Sequence, residues 1–478
     1  MFFPFGVLAS LWLVFSTLSI GPALAETLIT RAPVPPEQCR LADVWPAGPG
    51  QTLVPQTPDT ELQQILSQIS AERIKATIQK LVSFGTRHTL SNQTDPVRGI
   101  GAARDWIAGE LRTYAKASQG RMVVTVPSYV QGPATRIPSD TVISDVVATL
   151  KGSSEPNRVY VISGHYDSRV TDIMNFTDDA PGANDDASGV AVSMELARVM
   201  ASHRPAATIV FAAVAGEEQN LFGSDFLAKT LKASGVDVQG MLNNDIVGSS
   251  TADDGTRDPF VIRLFAQGIP TTETASQISS RVSIGGENDS PARQLGRFVQ
   301  EVSTNTFTNM SVQVVYRPDR FLRGGDHLSF LAQGFPAVRF TEPHENFNHQ
   351  HQDVRVQNGV QFGDLIDFVD FDFVARVARV NAAALWSLAQ APGTPKNVTI
   401  NTSALTNNST LSWPLDSHAT GGYEVVYRNT HDPFWTNVVP VGRTNTVNLK
   451  LSKDNVDFGV RAVGSNGFRS PATFPFPG

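Results

Sequence analysis

Residues 208–215 read TIVFAAVA, and the chain continues with Gly216, Glu217 and Glu218. A nearly unbroken apolar run of this length predicts a strand buried on both faces of a sheet. Other extended stretches lie at 121–126, 145–150, 158–163, 241–247 and 336–341, and helical patterns lie at 61–84, 99–114, 187–202, 221–234 and 369–390. Strands and helices that alternate in this way predict an α/β fold with a mostly parallel central sheet flanked by helices.

The composition fits a globular protein and excludes some partners. The chain has 478 residues, of which 41% are hydrophobic and 17% charged, and its formal net charge is -7. It has no basic stripe with interleaved aromatic residues, so we do not expect it to bind nucleic acid. A single cysteine, Cys39, excludes an intrachain disulfide and thiolate metal sites. Any metal site must therefore use His, Asp and Glu.

The two ends of the chain differ from its centre. Residues 1–25 are largely apolar and end in Ala-Leu-Ala, which predicts a cleaved signal peptide and a secreted protein, periplasmic if the host is a Gram-negative bacterium. An uncleaved N-terminal anchor is the alternative, because no Lys or Arg precedes the apolar run. Residues 26–57 form an extended lead-in or propeptide. Residues 58–390 are predicted to form the catalytic domain.

A short linker at 391–395 precedes a tail of another kind. Over residues 396–478, short alternating segments separated by turns predict a β-sandwich that resembles a fibronectin type III module. We expect this module to bind a polymer, a surface or a protein partner. Asn-x-Ser/Thr sequons, such as those at Asn92 and Asn175, matter only if the host glycosylates exported proteins.

Five clusters of His and carboxylate residues follow predicted strands or lie in loops. In open α/β sheets, sites form at the edge where the strands end. His165 and Asp167 taken alone could be a satisfied core pair, and Asp185 could belong to a helix N-cap. Glu217 and Glu218 at the end of a buried strand are costly unless they are paired or bind metal. The clusters are His165-Tyr166-Asp167, Asn184-Asp185-Asp186, Glu217-Glu218, Asn244-Asp245 and the segment 346–353 with His349 and His351.

Together these residues have the chemistry of a zinc site. Zn²⁺ accepts His, Asp and Glu, and two such ions can hold an attacking oxygen and a polarised carbonyl together. A glutamate that is not a ligand can act as the general base of such a hydrolysis.

In their order and spacing these motifs resemble metallopeptidase family 28, the bacterial leucyl aminopeptidases and their relatives. The resemblance covers about residues 57–390. It implies two zinc ions per chain, with Asp185 as the bridging ligand. The implied metal ligands are His165, Asp185, Glu218, Asp245 and His349, and the implied catalytic residues are Glu217 as base and acid and Asp167, which orients His165.

Three further expectations follow from the resemblance. His349 is preferred to His351 because the ligand of the family stands four residues before an Asp, as His349 stands before Asp353. Asp326 and His327 resemble a segment near the substrate pocket. Some relatives have a tyrosine just upstream that steadies the oxyanion, where this chain has Leu322, so Arg320 and Arg323 are candidates for carbonyl polarisation.

We therefore predict a monomeric, secreted zinc aminopeptidase that removes N-terminal residues from peptides. The same scaffold hosts carboxypeptidases that act on acidic C-termini and single-zinc glutaminyl cyclases. A carboxypeptidase needs a basic cluster for the carboxylate of its substrate, so Arg317, Arg320 and Arg323 leave this alternative open. A binding ectodomain that has lost catalysis is the alternative from another class, and the presence of every predicted ligand and of Glu217 speaks against it.

Overall fold

The computed structural model describes residues 48–478. The predicted signal peptide and most of the predicted lead-in lie outside the described residues. The helices are α1 (Thr60–Ser67), α2 (Ala71–Val82), α3 (Ile100–Ala115), α4 (Ala187–Met200), α5 (Phe222–Ala233), α6 (Ala275–Ser283), α7 (Pro291–Ser303), α8 (His327–Ala332) and α9 (Phe371–Gln390). Within this part of the chain, none of the helices combines the length and apolar composition needed to cross a membrane.

Twenty strands accompany these helices in residues 48–478. They are β1 (Gln51–Thr52), β2 (Met122–Thr125), β3 (Ser128–Gln131), β4 (Thr141–Ser144), β5 (Val146–Leu150), β6 (Glu155–His165), β7 (Ala207–Val214), β8 (Asp237–Asn244), β9 (Val261–Ala266), β10 (Ser311–Val315), β11 (Ala337–Thr341), β12 (Arg355–Gln357), β13 (Val360–Phe362), β14 (Thr399–Ile400), β15 (Ser409–Ser412), β16 (Gly422–Asn429), β17 (Asn437–Gly442), β18 (Thr446–Leu449), β19 (Val456–Val463) and β20 (Phe476–Pro477).

The central sheet has eight strands in the order β10-β9-β11-β8-β6-β7-β5-β2. Its centre, β11-β8-β6-β7, is parallel, whereas β9 joins β11, β5 joins β7 and β2 joins β5 in antiparallel pairs. The predicted α/β fold is confirmed, and the antiparallel pairs toward both edges make the sheet mixed. Because the four central strands run the same way, their carboxyl ends meet at one edge.

The apolar run that predicts β7 is buried on both faces because its alternate residues pack into different layers. Ile209 and Phe211 belong to the larger core, which includes α2, α3, α4 and α9. Val210 and Val214 belong to a second core with α5 and α8. The period of two along a strand thus divides one continuous apolar sequence between two helical layers.

Residues 396–478, together with β1, form two four-stranded sheets around a shared apolar core, β1-β17-β16-β19 and β18-β15-β14-β20. We call this part the C-terminal module; its resemblance to fibronectin type III stays a prediction. The strand β1 comes from the lead-in, where Gln51 pairs with Val438 of β17. The part of the predicted lead-in that the structure describes thus contributes a short strand that completes a sheet of the module.

Helix α7 connects the central sheet to the C-terminal module. Its apolar face, with Leu295 and Val299, packs into the larger core. Its polar face is also buried, because the module covers it: Trp435 Nε1 donates to Gln294 Oε1 at 3.1 Å, and Arg297 Nε donates to the carbonyl of Pro433 at 2.7 Å. A helix with charged residues buried on one face needs partners for each of them.

The central ion pair of this contact is a buried aspartate between two arginines. Asp289 lies 2.8 Å from Arg297 Nη1 and 2.6 Å from Arg428 Nη2, and the three side chains are nearly inaccessible to solvent. Arg428 also pairs with Asp457 at 2.9 Å. Each charge is therefore matched inside the protein rather than by water.

We expect Arg428→Ala to lower the free energy of unfolding by about 3 kcal/mol, because removing one partner of a buried ion pair leaves its carboxylates undercompensated. Urea denaturation of the full chain measures this loss. Arg443→Ala, an exposed arginine of the same module, is the matched control and should change stability by less than about 0.5 kcal/mol. Equal losses in the two variants would show that the network contributes no stability.

Candidate metal centre and active site

The parallel strands bring the predicted clusters to one edge of the sheet. β6 ends at His165, Glu217 and Glu218 follow β7, and Asp245 follows β8. Within the sheet, His165 lies opposite Val214 of β7, so the three strand ends are level. Asp185 precedes α4, whose N-terminus faces the same edge, where Gly189 of α4 closely approaches the carbonyl of Asn244.

Two groups of three side chains share Asp185. His165 Nε2 lies 3.1 Å from Asp185 Oδ1 and 3.8 Å from Asp245 Oδ1, and the ring is buried. On the other side of Asp185, Oδ2 lies 2.8 Å from His351 Nε2, which is 3.0 Å from Glu218 Oε1. Each group places three donor atoms within 4.8 Å of one another, as a bound metal ion requires.

The structure corrects the choice between the two late histidines. The ring of His349 stacks on Phe368 at 3.6 Å between ring centres, with 8° between the planes, and it is absent from both donor groups. His351 occupies the position predicted for His349. The spacing to Asp353 is therefore a poor guide, because the packing partner Phe368 lies 19 residues further along the chain and turns His349 aside.

The cluster carries an excess of negative charge. Burial alone would lower the pKa of His351, but the carboxylates of Glu218 and Asp185 raise it to about 10. The pKa of His165 is likewise raised, since hydrogen bonds to Asp167, Asp185 and Asp245 outweigh its burial. Both rings are thus held where positive charge is needed, which is the environment of a cation site.

Asp167 fixes the geometry of two clusters at once. The Nδ1 atom of His165 donates to the main-chain carbonyl of Asp167 at 3.1 Å, and the carboxylate lies 3.5 Å away. The same carboxylate accepts from the amides of Glu217 and Glu218 at 3.3 and 3.1 Å. Asp167 therefore lies where the sequence predicts an orienting residue, and it holds the glutamate turn as well.

Three buried residues of this region have no signal in the sequence motifs. Asp364 accepts from the amides of Asn184 and Asp185 at 2.8 and 2.7 Å. Arg87 donates to the carbonyls of Tyr166, Pro181 and Gly182, and Arg339 Nη2 contacts Asp245 Oδ1 at 2.8 Å. Their partners are main-chain atoms or distant carboxylates, so only the folded chain reveals them.

A cavity of about 450 Å³ opens over the cluster. Glu217, Glu218, Asp185 and Asp245 line its floor, and its walls include four arginines, Arg136, Arg169, Arg320 and Arg323. A larger cleft of about 820 Å³ lies between α5, α6 and the C-terminal module, and none of the predicted ligands lines it. The smaller cavity is therefore the candidate active site.

The predicted pocket residues separate in the structure. Arg323 lines the cavity and pairs with Glu345 at 2.7 Å. Asp326 and His327 are fully buried and do not line the cavity themselves, whereas their neighbours Gly325 and Leu328 do. Asp326 and His327 begin α8, where the ring of His327 lies 2.7 Å from the carbonyl of Pro318. Leu322 is 96% exposed and does not line the cavity.

Comparisons with known proteins agree with this architecture. The model of peptidase family M28 matches residues 145–358. A protein of Pyrenophora teres f. teres described as a probable zinc metalloprotease is 59% identical over 442 residues, which cover 92% of this chain and 92% of that protein. A protein of Pyricularia oryzae with the same description is 57% identical over 492 residues and covers 98% of both chains.

Among solved structures, the LapA aminopeptidase of Legionella pneumophila shares the fold, with a TM-score of 0.50 at 18% identity over 71% of this chain and 77% of that chain. The fungal relatives match over nearly the whole chain, and the family model spans all five clusters. The family predicted from the motifs is confirmed: this chain belongs to peptidase family M28.

Proposed function

We propose that this protein is a zinc-dependent exopeptidase that hydrolyses the N-terminal peptide bond of peptides. The observation that carries the proposal is the pair of donor groups that share Asp185, with the non-ligand Glu217 beside them. The names of the fungal relatives support zinc as the metal. The resemblance of the sequence motifs to those of the bacterial leucyl aminopeptidases supports cleavage at the N-terminus.

The residues fit two zinc ions. Neighbouring donors in each group lie 2.8–3.8 Å apart, close to the separation of about 3.3 Å expected for ligands about 2.0 Å from a tetrahedral Zn²⁺. His165, Asp185 and Asp245 would hold one ion, and Asp185, Glu218 and His351 the other. Zinc would supply Lewis-acid polarisation of the substrate carbonyl and activation of water.

Glu217 is positioned for the proton transfers. Its amide is held by Asp167, and among residues 48–478 its carboxylate makes no hydrogen bond and lines the cavity. Burial raises the pKa of Glu217, and Asp245 and Glu218 add to the rise while His165 opposes it. A carboxylate of this kind can take a proton from the attacking water and give it to the leaving amine.

Two related activities make different demands on the site. A single-zinc glutaminyl cyclase needs only one of the two donor groups, so the second group favours the peptidase. A carboxypeptidase needs a cationic subsite for the substrate carboxylate, and the arginine walls of the cavity keep this second candidate open. A panel of aminoacyl anilides, blocked peptides and N-terminal glutamine peptides, with a zinc count on the same preparation, separates the three activities.

The remaining parts of the proposal concern the setting of the enzyme. We propose export through the apolar segment at residues 1–25, a monomeric state, and peptides as the substrates. The C-terminal module is a candidate binding surface for a polymer or a protein partner, although its helix-facing side is occupied by α7.

We expect His351→Ala to lose about one zinc ion per chain, because it removes the histidine of the group that includes Glu218. His349→Ala should keep the wild-type zinc content, since its ring packs on Phe368. Metal analysis after dialysis against zinc-free buffer measures both. A loss of zinc in His349→Ala but not in His351→Ala would restore the ligand predicted from the sequence.

We expect Glu217→Gln to retain zinc and to lower kcat/KM for an aminoacyl anilide by about 100-fold or more, because the amide cannot accept the proton of water. Glu72→Gln, an exposed glutamate of α2, is the matched control and should leave kcat/KM unchanged. Full activity in zinc-loaded Glu217→Gln would exclude Glu217 as the base. Loss of zinc in this variant would make it a ligand instead.

A further inference from the structure

The arginines that line the active-site cavity are not equivalent. Arg169 Nε donates to Glu218 Oε2 at 2.9 Å. Arg320 pairs with Asp319 and Glu345 at 3.0 Å each, and Arg323 pairs with Glu345 at 2.7 Å. These three guanidinium groups are therefore already matched by carboxylates of the protein.

Arg136 differs because it has no carboxylate partner within residues 48–478. Its one hydrogen bond in this part of the chain runs from Nη1 to the main-chain carbonyl of Glu218 at 3.0 Å. That bond places the guanidinium directly beside the turn that carries Glu217 and Glu218. Most of its five N–H donors are left free. An exposed cation at the mouth of the cavity is thus available to a ligand.

Arg136 has a backbone conformation that is unfavourable for a residue other than glycine. Ala134 and Ile137 exchange two main-chain hydrogen bonds at 2.8 and 3.0 Å, so Thr135 and Arg136 form the tip of a tight turn between β3 and β4. Ile137 is fully buried and anchors the turn, whereas Arg136 has a φ of +66°. Glycine or asparagine suits such a position better, so an arginine here suggests a role for its side chain.

Resting on the proposed function, we infer that Arg136 binds a carboxylate of the substrate close to the scissile bond. A guanidinium recognises a carboxylate with two parallel hydrogen bonds, and such pairs gain strength where water is partly excluded. The other three arginines are already paired with carboxylates of the protein, so they do not compete for the group. The favoured substrates are therefore peptides with an acidic residue, or a free C-terminal carboxylate, next to the cleaved bond.

Four short peptides distinguish the sources of the carboxylate. Leu-Leu-amide has no carboxylate. Asp-Leu-amide carries a carboxylate on its first side chain, and Leu-Asp-amide carries one on its second side chain. The free dipeptide Leu-Leu carries its carboxylate at the C-terminus. The zinc-loaded full chain is assayed for kcat/KM on each, as wild type and as Arg136→Ala, Arg136→Lys and Arg443→Ala. The last variant removes an exposed arginine of the C-terminal module and is the matched control.

We expect at least one carboxylate peptide to exceed Leu-Leu-amide in kcat/KM, and Arg136→Ala to lower that ratio about tenfold or more. Arg136→Lys should keep part of the ratio, because lysine retains the charge but not the bidentate geometry. Arg443→Ala should keep all of it. The inference is overturned if no carboxylate peptide is preferred, or if Arg136→Ala leaves the ratio unchanged.

A failure of the proposed function would give a different result from a failure of the inference about Arg136. If none of the four peptides is cleaved by zinc-loaded protein, the exopeptidase proposal fails. Titration calorimetry with Leu-Asp-amide and Leu-Leu-amide then tests Arg136 by binding alone. Tighter binding of the acidic peptide that is lost in Arg136→Ala supports the inference, and equal binding of the two peptides by the wild type rejects it.

Discussion

The mutual repulsion of buried carboxylates is the constraint that organises this protein. Several acidic side chains converge where four parallel strands end, and each would be costly to bury alone. The fold meets this cost by giving the carboxylates main-chain amides: Asp186 accepts from the amides of His165, Gly189 and Ile246, as Asp167 and Asp364 do for other loops. The same bonds fix the relative positions of the loops, so electrostatic compensation and the geometry of the site have one origin.

A second consequence is the way positive charge is distributed. Arg339 contacts Asp245 and Arg169 contacts Glu218, so each donor group has a guanidinium on its outer side. These arginines limit the negative charge that bound metal ions would have to balance. Arg136, which has no carboxylate partner within residues 48–478, lines the cavity. Compensation of the site and recognition of a substrate are thus carried by different arginines.

Much of this architecture could be predicted from the sequence, because β6, β7, β8, β11, α4 and α9 have periodicities that their burial enforces. The pattern at 61–84 merges two helices, since Ser70 caps α2 without interrupting the apolar spacing. The region 248–335 gave no strand or helix prediction. Its helix α7 buries a polar face against the C-terminal module, so its sequence does not show where it is buried. Four of the five predicted ligands lie in the donor groups. The fifth, His349, does not, and the sequence motifs could not show that its ring stacks on the distant Phe368.

The pairing of β1 with β17 has a consequence for the order of folding. Gln51 lies opposite Val438, and the amide of Leu53 donates to the carbonyl of Thr436 at 2.9 Å. A ribosome synthesises the second partner almost 400 residues after the first. The strand β1 therefore cannot pair until β17 of the C-terminal module has been synthesised. Pairing between segments so far apart in sequence forms slowly. During synthesis β1 is thus without its partner in the sheet until the residues of β17 have been made.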